Sequence, residues 1–189
     1  MARPDWSHLF AQLDAHRAAD EKEARDVAFI RAFVALHPDD AHLRSQAEGH
    51  LTGSAFILDA ARTRVLLLHH GKLGRWLQPG GHGEGEIDPR EIALREVEEE
   101  TGLARTTLLP CPDWRILDVD VHCIPARPGE PAHAHLDLRY GFVAGVGAAP
   151  RVSAESHALR WFPADCLPEG CDDSFRRAVR KLCNAAENA

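Results

Sequence analysis

Five glutamates, Glu91, Glu96, Glu98, Glu99 and Glu100, fall within ten residues of each other in the stretch LQPGGHGEGEIDPREIALREVEEETGL. The stretch carries its own helix signals. Asp88 can accept from the first free backbone N–H groups, Pro89 has a ring-fixed φ suited to the first helical position, and Gly102 can take the left-handed conformation that ends a helix. A helix is therefore expected from Pro89 to Thr101. At about 100° per residue, Ala93, Leu94, Val97 and Thr101 share one arc, which should face the core. Glu96, Glu99 and Glu100 converge on another, while Glu91 and Glu98 point elsewhere. Like charges three or four residues apart repel, and the negative end of the helix dipole adds to the cost. Arg95, one turn before Glu99, offsets only part of it. Two readings follow: a solvated acidic helix face, or a patch that holds hard divalent cations such as Mg²⁺ or Mn²⁺, which prefer carboxylate oxygens.

The glycine-rich lead-in favours the second reading. Counted from Gly81, the residues Arg95, Glu96, Val97, Glu99, Glu100, Gly102 and Leu103 fall in the register Arg-Glu-apolar-x-Glu-Glu-x-Gly-apolar. This pattern resembles the Nudix box, which also has a glutamate six residues after its first glycine. That position is Ile87 here, and Glu86 sits one place early, so either Glu86 substitutes or that carboxylate's role is lost. The resemblance implies a Nudix-like mixed-sheet α/β/α sandwich of the α/β (α+β) class. It also implies hydrolysis of a diphosphate, with Mg²⁺ or Mn²⁺ neutralising the phosphate oxygens, acidifying water and positioning it in line. Glu96, Glu99 and Glu100 are the expected metal ligands; the resemblance adds the carbonyl of Gly81 and points to Arg95 as the group that holds a catalytic glutamate. Main-chain amides around Gly80 to Gly83 help to place oxygens. For the base that takes the water's proton, Glu99 or Glu100 is favoured, with Glu86 as the outside candidate.

Histidines form a second constellation. Of twelve in the chain, His82, His133 and His135 lie in segments expected to approach the cleft. On one reading His133, His135 and Asp137 bind an additional metal or the substrate's phosphate, with His82 opposite and Arg139 on the same strand face; on the other they form a solvent-facing polar face. Neutral histidine favours zinc-like ions over Mg²⁺.

These residues need elements to position them. Residues 5 to about 48 read as a helical extension, with Trp6, Leu9, Phe10 and Leu13, then Val27, Ile30, Phe33 and Val34, at helical spacing, and a short third helix from Asp39 or Asp40 to Ala47. The extension, taken as residues 1–48, packs on a catalytic domain of residues 49–189 or on a second copy in a homodimer. From His50 the period changes: Leu51 to Leu58 and Arg64 to His69 read as a hairpin, Trp114 to Ile124 as a strand, and His133 to Val143 as an alternating strand. A proline-rich loop covers Pro125 to Pro131, His157 to Phe162 is a last strand, and Asp172 to Ala186 a closing amphipathic helix built on Phe175, Val179 and Leu182. Trp76 is expected in the core. Strands on both sides of a central helix fit a mixed-sheet sandwich rather than regular βαβ winding.

Composition narrows the partners. The chain has 189 residues and a net charge of −7, which works against attraction to duplex nucleic acid or anionic lipid. A small-molecule diphosphate remains accessible, because a bound metal reverses the local potential. No run approaches the length of a membrane span, and MARPDWSHLF lacks the apolar core of a signal peptide, so a cytoplasmic location is expected. Five cysteines, never spaced C-x-x-C, argue against a structural zinc site or a disulfide framework and read as reduced, mostly buried thiols. The leading function is hydrolysis of a nucleoside diphosphate linked to a further group. The alternatives are a diphosphate isomerase on the same fold and an inactive Nudix-like module that senses a nucleotide.

Overall fold

The computed structural model describes residues 3–71, 73–127, 129–152 and 156–188. Among these, the helices are α1 (Ser7–Ala15), α2 (Glu21–Leu36), α3 (Pro89–Thr101) and α4 (Asp173–Glu187). The strands are β1 (Gly49–Leu58), β2 (Arg64–His70), β3 (Arg75–Leu77), β4 (Gly80–His82), β5 (Leu108–Pro110), β6 (Asp118–Ile124), β7 (His133–Ala144) and β8 (Ser156–Pro163), all in one mixed sheet. No helix among the described residues is long and apolar enough to cross a membrane.

β1 lies at the centre and is buried along its whole length. It runs parallel to β7, antiparallel to β4, and meets β2 only at the turn, where Leu58 faces Val65. Past that turn β2 pairs with β3 and β8 instead. Because side chains alternate across a strand, β1 and β7 each present two faces. Leu51, Ala55, Ile57, Leu136, Leu138 and Tyr140 pack with α1, α2 and α3. On the other face Phe56, Leu58 and Val143 pack with Phe175, Val179 and Leu182 of α4. The mixed-sheet α/β/α sandwich follows from these two apolar layers.

α3 sits directly on β1. A Cβ placed at Gly53 would lie 2.0 Å from the Pro89 carbonyl oxygen and 3.0 Å from the Ala93 nitrogen, so only glycine permits this approach.

The N-terminal helices close the β6 edge. Glu23 Oε1 accepts from the Val119 amide (3.2 Å) and Asp26 Oδ2 from the Val121 amide (3.0 Å), covering N–H groups that an open edge would offer to another chain. Glu23 is fully buried and also takes hydrogen bonds from the Ala19 amide and Lys181, with His16 at 2.8 Å. Arg177 of α4 bonds Asp118 of β6, and Lys22 bonds Asp120, so β6 is clamped from both helical layers.

Three local expectations differ. No third helix forms between residue 39 and Ala47; the segment is turns, with the Gln46 side-chain Nε2 donating to Asp40 and the Leu51 backbone amide to the Ala41 carbonyl, side-chain and strand bonds that replace helical ones. The strand expected from Trp114 starts at Asp118, because Asp113 accepts from the Arg115 amide and turns the chain. Of the five free cysteines only Cys111 is buried, since the others fall in loops, on an edge strand or on the partly open side of α4. In the proline-rich loop, Pro128 lies outside the described residues.

Burial works against the charge on Glu23, yet hydrogen bonds from His16, the Ala19 amide and Lys181 hold its carboxyl well below the ordinary range. Asp120 is likewise depressed, with burial outweighed by His122, Arg139 and Lys22. A depressed carboxyl contributes stability above its unfolded pKa of about 4 and loses it as the pH falls through the folded value. Urea unfolding at a series of pH values is therefore expected to show wild-type stability declining below about pH 4. Glu23→Ala, which takes from Lys181 its 2.6 Å partner and leaves the Ala19 and Val119 amides without their acceptor, is expected to cost about 3 to 5 kcal/mol at neutral pH and to weaken the acid dependence. A loss below about 1 kcal/mol would contradict this assignment.

Candidate active site

α3 and β4 form one wall of a cleft. The helix runs from Pro89 to Thr101, Asp88 accepts from the Arg90 amide, and Gly102 closes the helix at φ 66°. Ile92, Ala93, Leu94, Val97 and Thr101 are buried, while Glu91 and Glu98 turn away and share Arg105. Glu96 comes down on β4: a Cβ on Gly81 would lie 2.3 Å from Glu96 Oε1. Arg95 donates to Glu99 Oε2 (2.7 Å), to Glu96 Oε1 (3.0 Å) and to the His82 carbonyl (2.6 Å). Glu100 Oε2 accepts from the Gly80 amide at 3.0 Å. Arg95, Glu96 and Glu100 thus meet the backbone of Gly80 to His82, and Glu99 joins them through Arg95.

Burial pushes the Glu96 carboxyl up, Arg95 pulls it back, and Glu99 and Glu84 raise it further. Glu84 is the acid that sequence reading missed. Its charge acts on Arg95, Glu96 and His82, and it sits at φ 48° in the turn before α3. Glu86 is not brought into this set; its Oε1 accepts from the Ile87 and Asp88 amides, while Ile87 packs on the core. Counting along the box stops at residues 86 and 87, and only the Glu-Gly turn composition marks residue 84.

The adjoining cavity, of about 470 Å³, is lined by Gly80, Gly81 and Glu100 on one side, by Thr52, Ser54, Asp137 and Arg139 on its floor, and by Trp76 and His122 beyond. The floor charges are already paired. Asp137 accepts from Thr52 Oγ1 (3.1 Å), Ser54 Oγ (2.8 Å) and Arg139 Nε (3.0 Å), and Arg139 also bonds Asp118 and Asp120 at 3.1 Å each. Trp76 is half-buried, packing edge-on against Phe162 and His69 while one side meets the cavity.

His82, His133 and His135 do come together, around a fourth ring, His50 of β1, which sequence reading did not single out. Burial, reinforced by the neighbouring imidazoles, pushes His50 down to about 4 and His135 to about 2. His122 goes the other way, raised by its hydrogen bond to Asp120.

The carboxylate wall suits a hard divalent ion. Its donors are glutamate oxygens beside a peptide strand, the Glu96 carboxylate fills the space that a side chain at Gly81 would take, and a single guanidinium now serves both Glu96 and Glu99. A family model described as the NUDIX domain matches residues 49–182. The chain belongs to the NUDIX family. As a Nudix pyrophosphohydrolase it is a diphosphate-cleaving enzyme of a family that uses divalent metal ions. A probable DHNTP pyrophosphohydrolase of Lactococcus lactis subsp. cremoris is 27% identical over 132 residues, spanning 70% of this chain and 75% of the relative. The crystal structure of a MutT NUDIX hydrolase from Burkholderia pseudomallei superposes with a TM-score of 0.52 at 26% identity, covering 71% of this chain and 98% of that one. A C. elegans Ap4A hydrolase binary complex shares the fold at a TM-score of 0.60 and 16% identity, covering 74% and 98%.

The glycine contacts at positions 53 and 81 separate fold from site. At Gly81 the added Cβ meets the far end of a flexible side chain, whereas at Gly53 it meets backbone. Gly81→Ala is expected to cost less than about 1.5 kcal/mol and Gly53→Ala about 3 kcal/mol, as overpacking against rigid backbone costs more. Thermal melts of both variants, with turnover of any cleaved diphosphate, check this: Gly81→Ala should stay folded and lose activity. A Gly81→Ala protein of wild-type activity would contradict the placement of Glu96 over residue 81.

Proposed function

We propose that this Nudix hydrolase uses Mg²⁺ or Mn²⁺ to cleave the diphosphate linkage of a nucleoside-diphosphate-type small molecule, at the wall formed by α3 and β4. The observation that carries this reading is the convergence of Glu96 and Glu100 on the backbone of Gly80 and Gly81 beside the cavity, with Arg95 bonded to both Glu96 and Glu99. When bound there, the ion supplies charge neutralisation on the diphosphate oxygens and acidifies water. Glu96, Glu99, Glu100 and the Gly81 carbonyl are the proposed ligands.

The chain's own residues supply the rest. Arg95, fixed at its far end by the His82 carbonyl, orients Glu96 and Glu99. Glu99 is half-exposed and Glu100 lines the cavity, so either can accept the proton of the attacking water, and we assign the base to this pair. Asp137, held by Thr52, Ser54 and Arg139, gives the floor hydrogen-bonding groups of fixed direction. The likeness to a probable DHNTP pyrophosphohydrolase puts pterin triphosphates first among substrates, with nucleoside triphosphates tested beside them.

A panel of such triphosphates, ADP-ribose, dinucleoside polyphosphates, NAD(H) and coenzyme A, each with Mg²⁺ and with Mn²⁺, tests the reading. Turnover of at least one compound is expected, with Glu99→Gln and Glu100→Gln each folded and reduced by about 100-fold or more, and Glu91→Gln unaffected. Full activity in both site variants would overturn the assignment.

A further inference from the structure

The imidazoles beyond β4 form a second polar cluster that the hydrolytic wall does not use. His50 of β1 is 1% exposed and lies within 5.1 Å, centroid to centroid, of His82, His133 and His135. Neither of its ring nitrogens makes a well-formed hydrogen bond; its polar environment is an interaction with the Gln46 backbone. His133 Nδ1 faces the Pro131 carbonyl at 2.9 Å, which fixes the ring proton on that nitrogen and leaves the Nε2 lone pair pointing inward. There it meets His135 Nε2 at 3.3 Å, and His135 Nε2 meets His82 Nε2 at 3.2 Å.

Neutral imidazoles cannot satisfy this arrangement among themselves. With the His133 proton spent on Pro131, the three facing Nε2 atoms hold at most two protons, and the central His135 nitrogen cannot both donate to one neighbour and donate to the other. A cation removes the conflict. Zinc–nitrogen bonds of about 2.0–2.1 Å at the tetrahedral angle place neighbouring nitrogens about 3.3 Å apart, the spacing of the His133–His135 and His135–His82 pairs. Possible ligand atoms of His50, His133 and His135 all lie within 4.8 Å of one another. Asp137 is excluded as a ligand because both its oxygens are engaged by Thr52, Ser54 and Arg139.

We propose that His50, His133 and His135, with His82 as the fourth ligand, form a site for a borderline transition-metal ion of the Zn²⁺ class, distinct from the hard-ion site of the glutamates. The ligands come from β1, β7 and β4, so the ion ties together three strands that meet at the cleft, and β4 serves both sites: Gly81 toward α3 and His82 toward the imidazoles. The set is all-nitrogen, which selects against Mg²⁺. A phosphate is a poorer occupant, because rings crowded this closely resist the protonation that would attract an anion.

Titration of the full chain with Co²⁺ as the probe tests the site. The expected result is intense tetrahedral d–d absorbance that saturates at one equivalent, apart from any cobalt taken up by the glutamates, with a raised melting temperature; the absorbance is lost in His50→Phe and His135→Phe, which keep a ring in place, and retained in Glu99→Gln. X-ray absorption of the zinc-loaded wild-type chain gives a readout that needs no variant: imidazole nitrogens should dominate the first shell. An oxygen-dominated shell, absorbance that survives both histidine variants, or absorbance lost in Glu99→Gln would overturn the proposal.

Discussion

A helix that carries carboxylates can act on a strand's backbone only if nothing stands between them, and the close approach of α3 to the sheet is the constraint on which the rest of the structure depends. Gly53 lets the first turn of α3 rest on β1, and Gly81 leaves the space that the Glu96 carboxylate occupies. With a side chain at either position, the acids of the second half of the helix would stand off from β4. The repulsion among them is tolerated because Arg95 is anchored on the His82 carbonyl, so a cation is built into the wall before any ion arrives. The apolar arc of α3 fixes its rotation; the glycines fix its height.

The other face is held by charge. Arg139 and Arg177 are buried among Asp118, Asp120 and Asp137, and Glu23 of α2 joins them from the N-terminal extension. An isolated charge in such a place would be costly, and each member is tolerable only because the others are present. This links the extension to the cleft: α2 covers the β6 edge, β6 supplies the aspartates, and the aspartates orient Arg139 on the cavity floor. The helices before residue 49 therefore belong to the same packed body as the NUDIX match, although the family model begins after them.

What could be read in the sequence was local. The bounds of α3 were legible because Asp88, Pro89 and Gly102 act within a turn of the residues they cap, and its two arcs because helical geometry is regular. The division of labour among the glutamates followed, with Glu91 and Glu98 turned to Arg105. What escaped was set by long-range register or by loop backbone. His50 reaches the other imidazoles only because β1 runs parallel to β7 with His50 opposite His135, a pairing across 85 positions of chain that no short pattern encodes. Glu84 escaped because a positive φ in the turn, not its distance along the box, carries its charge toward Arg95. The clamp of Glu23 on the Val119 amide joins residues 96 apart.

The central claim is that the glutamate face of α3 and the strand beneath it form the hard-metal centre of a diphosphate hydrolase. Anomalous diffraction from crystals soaked with Mn²⁺ and a non-hydrolysable diphosphate tests it most directly. The account predicts manganese peaks within coordination distance of oxygens from Glu96, Glu99 or Glu100, with the diphosphate bridging from them into the cavity over Thr52 and Ser54. Manganese and diphosphate bound elsewhere, with Arg95 still closing the glutamates to any ion, would contradict it.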